Sequence, residues 1–113
     1  MAKVEIANDL KKEIFRKFKG ESYKIFNLMY SLGKIPHKGK TIGKIANIVI
    51  KELKYKKFRF YFITNGYQLR VLSIERLENL LIKFVRMSDK KTQQKTIEEI
   101  KKILRIFGGE GFK

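Results

Sequence analysis

Residues 73–87 read Ser-Ile-Glu-Arg-Leu-Glu-Asn-Leu-Leu-Ile-Lys-Phe-Val-Arg-Met, and whether this stretch coils or extends decides the fold. On a helix, Ile74, Leu77, Leu80, Leu81, Phe84, Val85 and Met87 share one arc, while Glu75, Arg76, Asn79, Lys83 and Arg86 share the opposite one. Only Ile82 is out of place. On a strand with one buried face the side chains should alternate, and Leu80, Leu81 and Ile82 are consecutive apolar residues. The pattern therefore predicts a helix capped by Ser73. Ser88 or Asp89 then restarts a last helix, with Ile97, Ile100, Ile103, Leu104 and Phe107 on one side and Glu98, Lys101, Lys102 and Arg105 on the other. Gly108 and Gly109 end it.

Working backwards, Phe58 to Ile63 and Ile48 to Ile50 are β-branched and aromatic runs, which predict strands. Thr64-Asn65-Gly66 follows the first of these, and Asn-Gly favours a type I′ turn because both central residues need positive φ. That predicts a return strand over Tyr67 to Leu72 and a three-stranded antiparallel meander. Near the start, Val4 and Ile6 alternate with Lys3 and Glu5, a short strand that can join the sheet as a fourth member. Asn8 or Asp9 caps a first helix with Leu10, Ile14, Phe15 and Phe18 at helical spacing, ended by Gly20. Ser22 caps a second, carrying Ile25, Phe26, Leu28, Met29 and Leu32, stopped by Gly33 and Pro36. The two form an antiparallel hairpin.

The chain has 113 residues, so a single domain over 1–113 is expected. Its apolar fraction is 43%, with nine Phe and five Tyr, enough to bury a core. Against that core stand 27 Lys and Arg and only 11 acids, a net charge of +16, which points to a polyanionic partner such as RNA or the ribosome. The absence of Cys removes disulfides, thiol nucleophiles and thiolate metal sites, and one His, His37, cannot build a His-rich site. No metal or cofactor is expected. No apolar run approaches the roughly 18 residues of a membrane helix, and Met1 to Asp9 lacks a signal-peptide core, so the expectation is a soluble, cytoplasmic protein with no membrane partner.

Nine basic residues fall between Lys34 and Arg59: Lys34, Lys38, Lys40, Lys44, Lys51, Lys54, Lys56, Lys57 and Arg59. They face one acid, Glu52, so this quarter of the chain carries eight of the sixteen net charges. Either it is a functional patch, with Lys38, Lys40, Lys44, Lys56 and Lys57 contacting nucleic acid, or it is a solvated lysine-rich surface. A period of two puts Phe58, Phe60 and Phe62 on one side of their strand and Arg59 and Tyr61 on the other. Arg59 can present its planar fork to phosphate or pair with Glu52 across the hairpin. Tyr61 is a platform for a nucleobase or a cross-strand packing residue. His37 could do acid or base chemistry, or simply sit on the surface.

Several of these segments occur in a familiar order. An opening strand, a helix hairpin ending in Leu-Gly-Lys-Ile-Pro, the loop Lys-Gly-Lys-Thr-Ile-Gly at 38–43, Ile-Lys-Glu-Leu-Lys at 50–54 and Phe-Arg-Phe-Tyr-Phe at 58–62 together resemble the RelE/ParE toxin superfamily. The resemblance covers about residues 1–73. It implies an α+β fold with the helix hairpin packed on a twisted antiparallel sheet of three to four strands. To this the chain adds two C-terminal helices, over 74–107, which could cover the sheet or make a homodimer seam. The RelE branch cleaves messenger RNA on the ribosome and the ParE branch inhibits DNA gyrase, each neutralised by a cognate antitoxin. By position, Arg59 matches the sheet arginine that contacts the reacting phosphate, Lys51 and Lys54 lie near the lysines of the preceding strand, and Arg76 near a later basic residue.

The expected chemistry is metal-independent attack of a ribose 2′-OH on the adjacent phosphate, with Arg59, Lys51, Lys54 and Arg76 as catalytic residues. A rival register places Lys83 to Met87 on a final strand with Arg86 catalytic, and the helical count argues against it. The alternatives are a non-catalytic nucleic-acid- or ribosome-binding protein on the same scaffold and a ParE-like gyrase inhibitor.

Overall fold

The computed structural model describes residues 3–35, 38–64 and 81–112. Strand β1 (Lys3–Ile6) runs directly into α1 (Asn8–Phe18), with Ala7 at the N-cap. A single 3-10 turn, Lys19–Glu21, reverses the chain into α2 (Ser22–Tyr30). Ser22 does not cap by its side chain. Instead its buried hydroxyl donates to the Ile14 carbonyl at 3.2 Å, tying the second helix to the first. Leu10, Ile14, Ile25 and Met29 turn inward, so the two amphipathic stripes merge into one apolar surface.

That surface lies on a five-stranded mixed sheet of order β1-β5-β4-β3-β2, made by β1, β2 (Lys40–Ile45), β3 (Ile48–Tyr55), β4 (Phe58–Thr64) and β5 (Leu81–Asp89). The α+β class holds. The expectation of a three- to four-stranded antiparallel sheet does not: β1 joins it, but parallel to β5, pairing Lys3 with Leu81 and Ile6 with Phe84. The segment 38–43, read as a loop, supplies most of β2, which pairs antiparallel with β3.

The largest correction concerns residues 81–87. They are extended, not helical, and form the strand between β1 and β4. The strand is covered on both faces: Ile82, Phe84 and Met87 are buried toward the hairpin, while Lys83, Arg86 and Ser88 share the face that carries α3. A bulge interrupts this alternation. Tyr61 pairs with Arg86 and Phe62 with Phe84, leaving Val85 as the extra residue and breaking the period of two at mid-strand. The rival strand register for Lys83 to Met87 is the one observed. The expected Asn65-Gly66 turn, the return strand 67–72 and residues 73–80 lie outside the described residues.

One C-terminal helix is therefore seen where two were expected over 74–107: α3 (Gln93–Phe107), ending at Gly108 with φ 66. Side chains alternate across the pleat, which assigns each layer to a face. Phe58, Phe60 and their cross-strand neighbour Tyr55 meet Phe18 of α1, so the helix hairpin lies on that side. Glu52, Tyr61 and Arg86 pair side by side on the other face and meet Gln93 and Glu99 of α3. Ile97, Ile100 and Leu104 are buried there, so this part of the expected arc covers the sheet, while Phe107 at its end is exposed. Lys83 and Arg86 hold the C-terminal turn, Lys83 donating to the Phe112 carbonyl at 2.9 Å and Arg86 lying 5.1 Å from the Phe112 ring. Among the described residues no helix is long and apolar enough to cross a membrane.

Candidate nucleic-acid interface

Strands β3 and β4 are joined by the two-residue turn Lys56-Lys57, with Lys56 in the left-handed region at φ 52. A tight turn has no room to bury a lysine, so both side chains point outward, and both are exposed. One residue back on each strand the register pairs Lys54 with Arg59, which places these two cations on the face that carries α3. The end of β5 and the loop into α3 arrive beside them. Together Lys54, Lys56, Lys57, Arg59, Asp89, Lys90 and Lys91 line a groove of about 510 Å³.

Arg59 forms the inner wall. Its side chain is only 12% exposed, and its Nε stands 3.6 Å from Oε1 of Glu52, itself 10% exposed. One Nη donates to the Lys57 carbonyl at 3.1 Å, while the buried Nε has no hydrogen-bond partner. Glu52 is held in turn by Gln93, whose amide donates to Oε2 at 3.3 Å. The guanidinium is thus recessed behind exposed surface lysines. The groove's single acid, Asp89, is already engaged, its Oδ1 accepting from the Thr92 backbone N–H at 2.9 Å and hydroxyl at 3.0 Å. These bonds, the backbone one first, hold its carboxyl below the usual range. Lys56 is also engaged, its Nζ 2.6 Å from Glu21 Oε1 on the hairpin side. That contact lowers the Glu21 pKa and raises that of Lys56.

The expected site residues do not all come together. Lys54, Lys56, Lys57 and Arg59 meet in the groove. Lys51 is three residues from Lys54, so it lies on the opposite face, paired with Phe62 and buried, its Nζ 5.9 Å from the Phe62 ring. Burial pushes its pKa down. Lys40 pairs with Glu52 and is exposed one strand out from the groove, whereas Lys44 pairs with Val49 at the far end of the sheet. Lys38 is exposed on the segment leading into β2. Tyr61 has no exposed surface and its hydroxyl lies 2.8 Å from the Ser88 Oγ, so neither ring face is open to a base. Burial raises its pKa. Arg76 and His37 lie outside the described residues.

Two groove residues, Lys90 and Lys91, escaped the sequence reading because they sat inside an expected helical run. Their only signal was the lysine pair itself. Arg86, the rival catalytic candidate, is engaged elsewhere, its Nε 2.8 Å from Glu99 Oε1 and an Nη donating to the Val85 carbonyl at 2.8 Å. Among the described residues no three His, Cys, Asp or Glu side chains cluster as a metal site. The groove is suited to anchoring phosphates: a recessed guanidinium at its inner wall, exposed point charges at its rim, and one acid that already accepts from Thr92. No family model, no curated protein and no solved structure matches this chain.

Proposed function

We propose that the protein binds RNA through the groove beside the β3–β4 turn, gripping the phosphate backbone, on a scaffold of RelE/ParE-like build. The observation that carries this reading is the lining itself: six cations against one acid, whose Oδ1 already accepts two hydrogen bonds from Thr92. The family likeness draws support from the helix hairpin packed on the sheet immediately after the first strand.

A second reading, a ribonuclease toxin with a cognate antitoxin and the ribosome as partners, draws on Arg59. A guanidinium fixed by Glu52 and the Lys57 carbonyl is suited to a phosphorane, whose charge exceeds that of the ground-state diester. Cleavage also requires a group to take the 2′-OH proton and one to protonate the leaving 5′-oxygen. The described lining holds lysines, an arginine and one carboxylate, Asp89, which its bonds to Thr92 hold in the charged form, and it contains no histidine. Binding is therefore the first reading.

The test is fluorescence anisotropy with a single-stranded RNA across a salt series. With Lys56 occupied by Glu21, the other five cations should give a slope of log affinity against log salt of about −3.5, at roughly −0.7 per phosphate contact. Lys54→Ala or Lys90→Ala should each make it shallower by about 0.7. An affinity indifferent to these substitutions would sink the groove. Cleavage of a translated message by the wild type, abolished in Arg59→Ala, would promote the ribonuclease reading.

A further inference from the structure

The outer surface of the helix hairpin carries an aromatic band that the fold does not use. Phe15 of α1 meets Phe26 of α2 edge-on, ring centroids 5.1 Å apart. On α2, Tyr23, Phe26 and Tyr30 follow at spacings of three and four, so their rings lie along one line of the helix. The inward positions of the same helices are Ile14, Ile25 and Met29, all fully buried. Phe15, Tyr23 and Tyr30, in contrast, are 56%, 61% and 47% exposed. Isolated exposed hydrophobics need no explanation, but a row of rings crossing two helices does.

The charges around the band have one sign in excess. Between Asn8 and Tyr30 there are six cations, Lys11, Lys12, Arg16, Lys17, Lys19 and Lys24, against Asp9, Glu13 and Glu21. Lys11, Lys12 and Lys19 stand one turn from Phe15, at i−4, i−3 and i+4. Glu21 is taken by Lys56. That same ion pair joins the Tyr23 end of the band to the β3–β4 turn, and Lys17 reaches over the Phe58 ring of the adjoining strand at 4.9 Å. The other side of the turn opens into the groove. Rings and cations thus make one path over the tip of the molecule.

We infer that the RNA held in the groove is single-stranded and continues over this tip onto the hairpin, where its unpaired bases stack on Tyr23, Phe15 and Tyr30. The inference rests on the RNA-binding reading above. Exposed rings flanked by cations match what a single strand offers, free π-faces joined by phosphates, and a duplex offers no such faces. Charge complementarity favours this occupant over a second copy, which would bring the same positive charge to the contact.

The experiment compares the full chain with F15L/Y23L, which keeps exposed apolar side chains on both helices and removes the rings. Probes are uridine-rich single strands of about 16 and about 4 nucleotides, the second long enough for the groove alone, and a duplex of the longer length. The variant should lose at least about tenfold in affinity for the long strand, as expected for two stacked bases, with its salt slope and its affinity for the short strand unchanged. The wild type should prefer the long strand to the duplex. Long-strand affinity equal to wild type overturns the inference. So does a wild type that sediments as a dimer and a variant that sediments as a monomer with RNA binding intact, or an acidic amphipathic peptide that the variant alone fails to bind while RNA affinity holds. Failure of the groove itself looks different, because neither strand would then bind.

Discussion

Phe60 and Tyr61 are neighbours on β4, and neither has any exposed surface, yet they belong to different worlds. Phe60 faces the hairpin, where Phe18 and Tyr55 pack against it at ring distances of 6.3 and 6.4 Å. Tyr61 faces α3, and its hydroxyl bonds to Ser88 beside the Glu52–Arg59 pair and the Glu52–Gln93 contact. One layer is sealed by area. The other is pinned, at the end nearer the groove, by directed polar contacts. The sheet thus divides labour around β4: aromatic packing dominates beneath the hairpin, and a set of polar contacts among Glu52, Arg59, Tyr61, Ser88 and Gln93 gathers on the face that leads to the groove.

The sharpest way to break this contrast is Phe60→Ala. A cavity under the hairpin should cost about 3–5 kcal/mol, read by chemical denaturation. A loss under about 1 kcal/mol would show that the hairpin side collapses easily and is not a packed seal. Next in size is Glu52→Gln, which should destabilise by about 1–3 kcal/mol because the recessed Arg59 loses its counter-charge. The same substitution should tighten RNA binding, since it removes a negative charge beside the groove. Stability and affinity moving in the same direction would contradict the assignment of Glu52 as an internal anchor.

The smallest effect is acid sensitivity, and it samples both layers. Glu21 ties the hairpin to Lys56, and Asp89 ties the β5–α3 loop to Thr92. Both carboxyls have folded-state pKa values below their ordinary ones. The unfolded chain therefore binds protons more readily, so the stabilisation is complete above about pH 4 and fades as pH falls through the depressed values. E21Q and D89N should each flatten the stability profile below about pH 4, by a small margin because both groups are solvent-exposed. A double variant whose acid profile overlays the wild type would remove both tethers from the account.

Much of the architecture was legible where one face of an element meets water. Leu10 and Ile14 on α1 and Ile97, Ile100 and Leu104 on α3 declare their helices because charged residues fill the opposite faces, and Ile25 and Met29 on α2 do so by their spacing between cap and stop signals. β5 was illegible for the opposite reason. It is central, covered on both faces and bulged at Val85, and its apolar residues imitate a helical arc. β2 was lost through its edge position, since an outer strand with Lys40, Gly43 and Lys44 looks like a loop. In the groove, Lys54 and Arg59 followed from the period of two and Lys56-Lys57 from the turn. Lys90 and Lys91 arrive only through the course of β5, a tertiary fact that no local pattern holds. Lys51 and Lys54 entered together through the family resemblance, and the register separates them, Lys51 beside Phe62 on one face and Lys54 beside Arg59 on the other.

The pairing of β1 with β5 joins residues 3–6 to residues 81–84, across about two-thirds of the length of the chain. During synthesis the first strand leaves the ribosome with no partner, and it stays unpaired until most of the protein has followed it. The meander β2-β3-β4 and the hairpin α1-α2 are local and can form early, whereas closing the parallel pair must overcome the entropy of a long loop. The element made first is thus set last, and the backbone bond from the Ala7 N–H to the Phe84 carbonyl, 2.9 Å long, is the clasp that closes behind it.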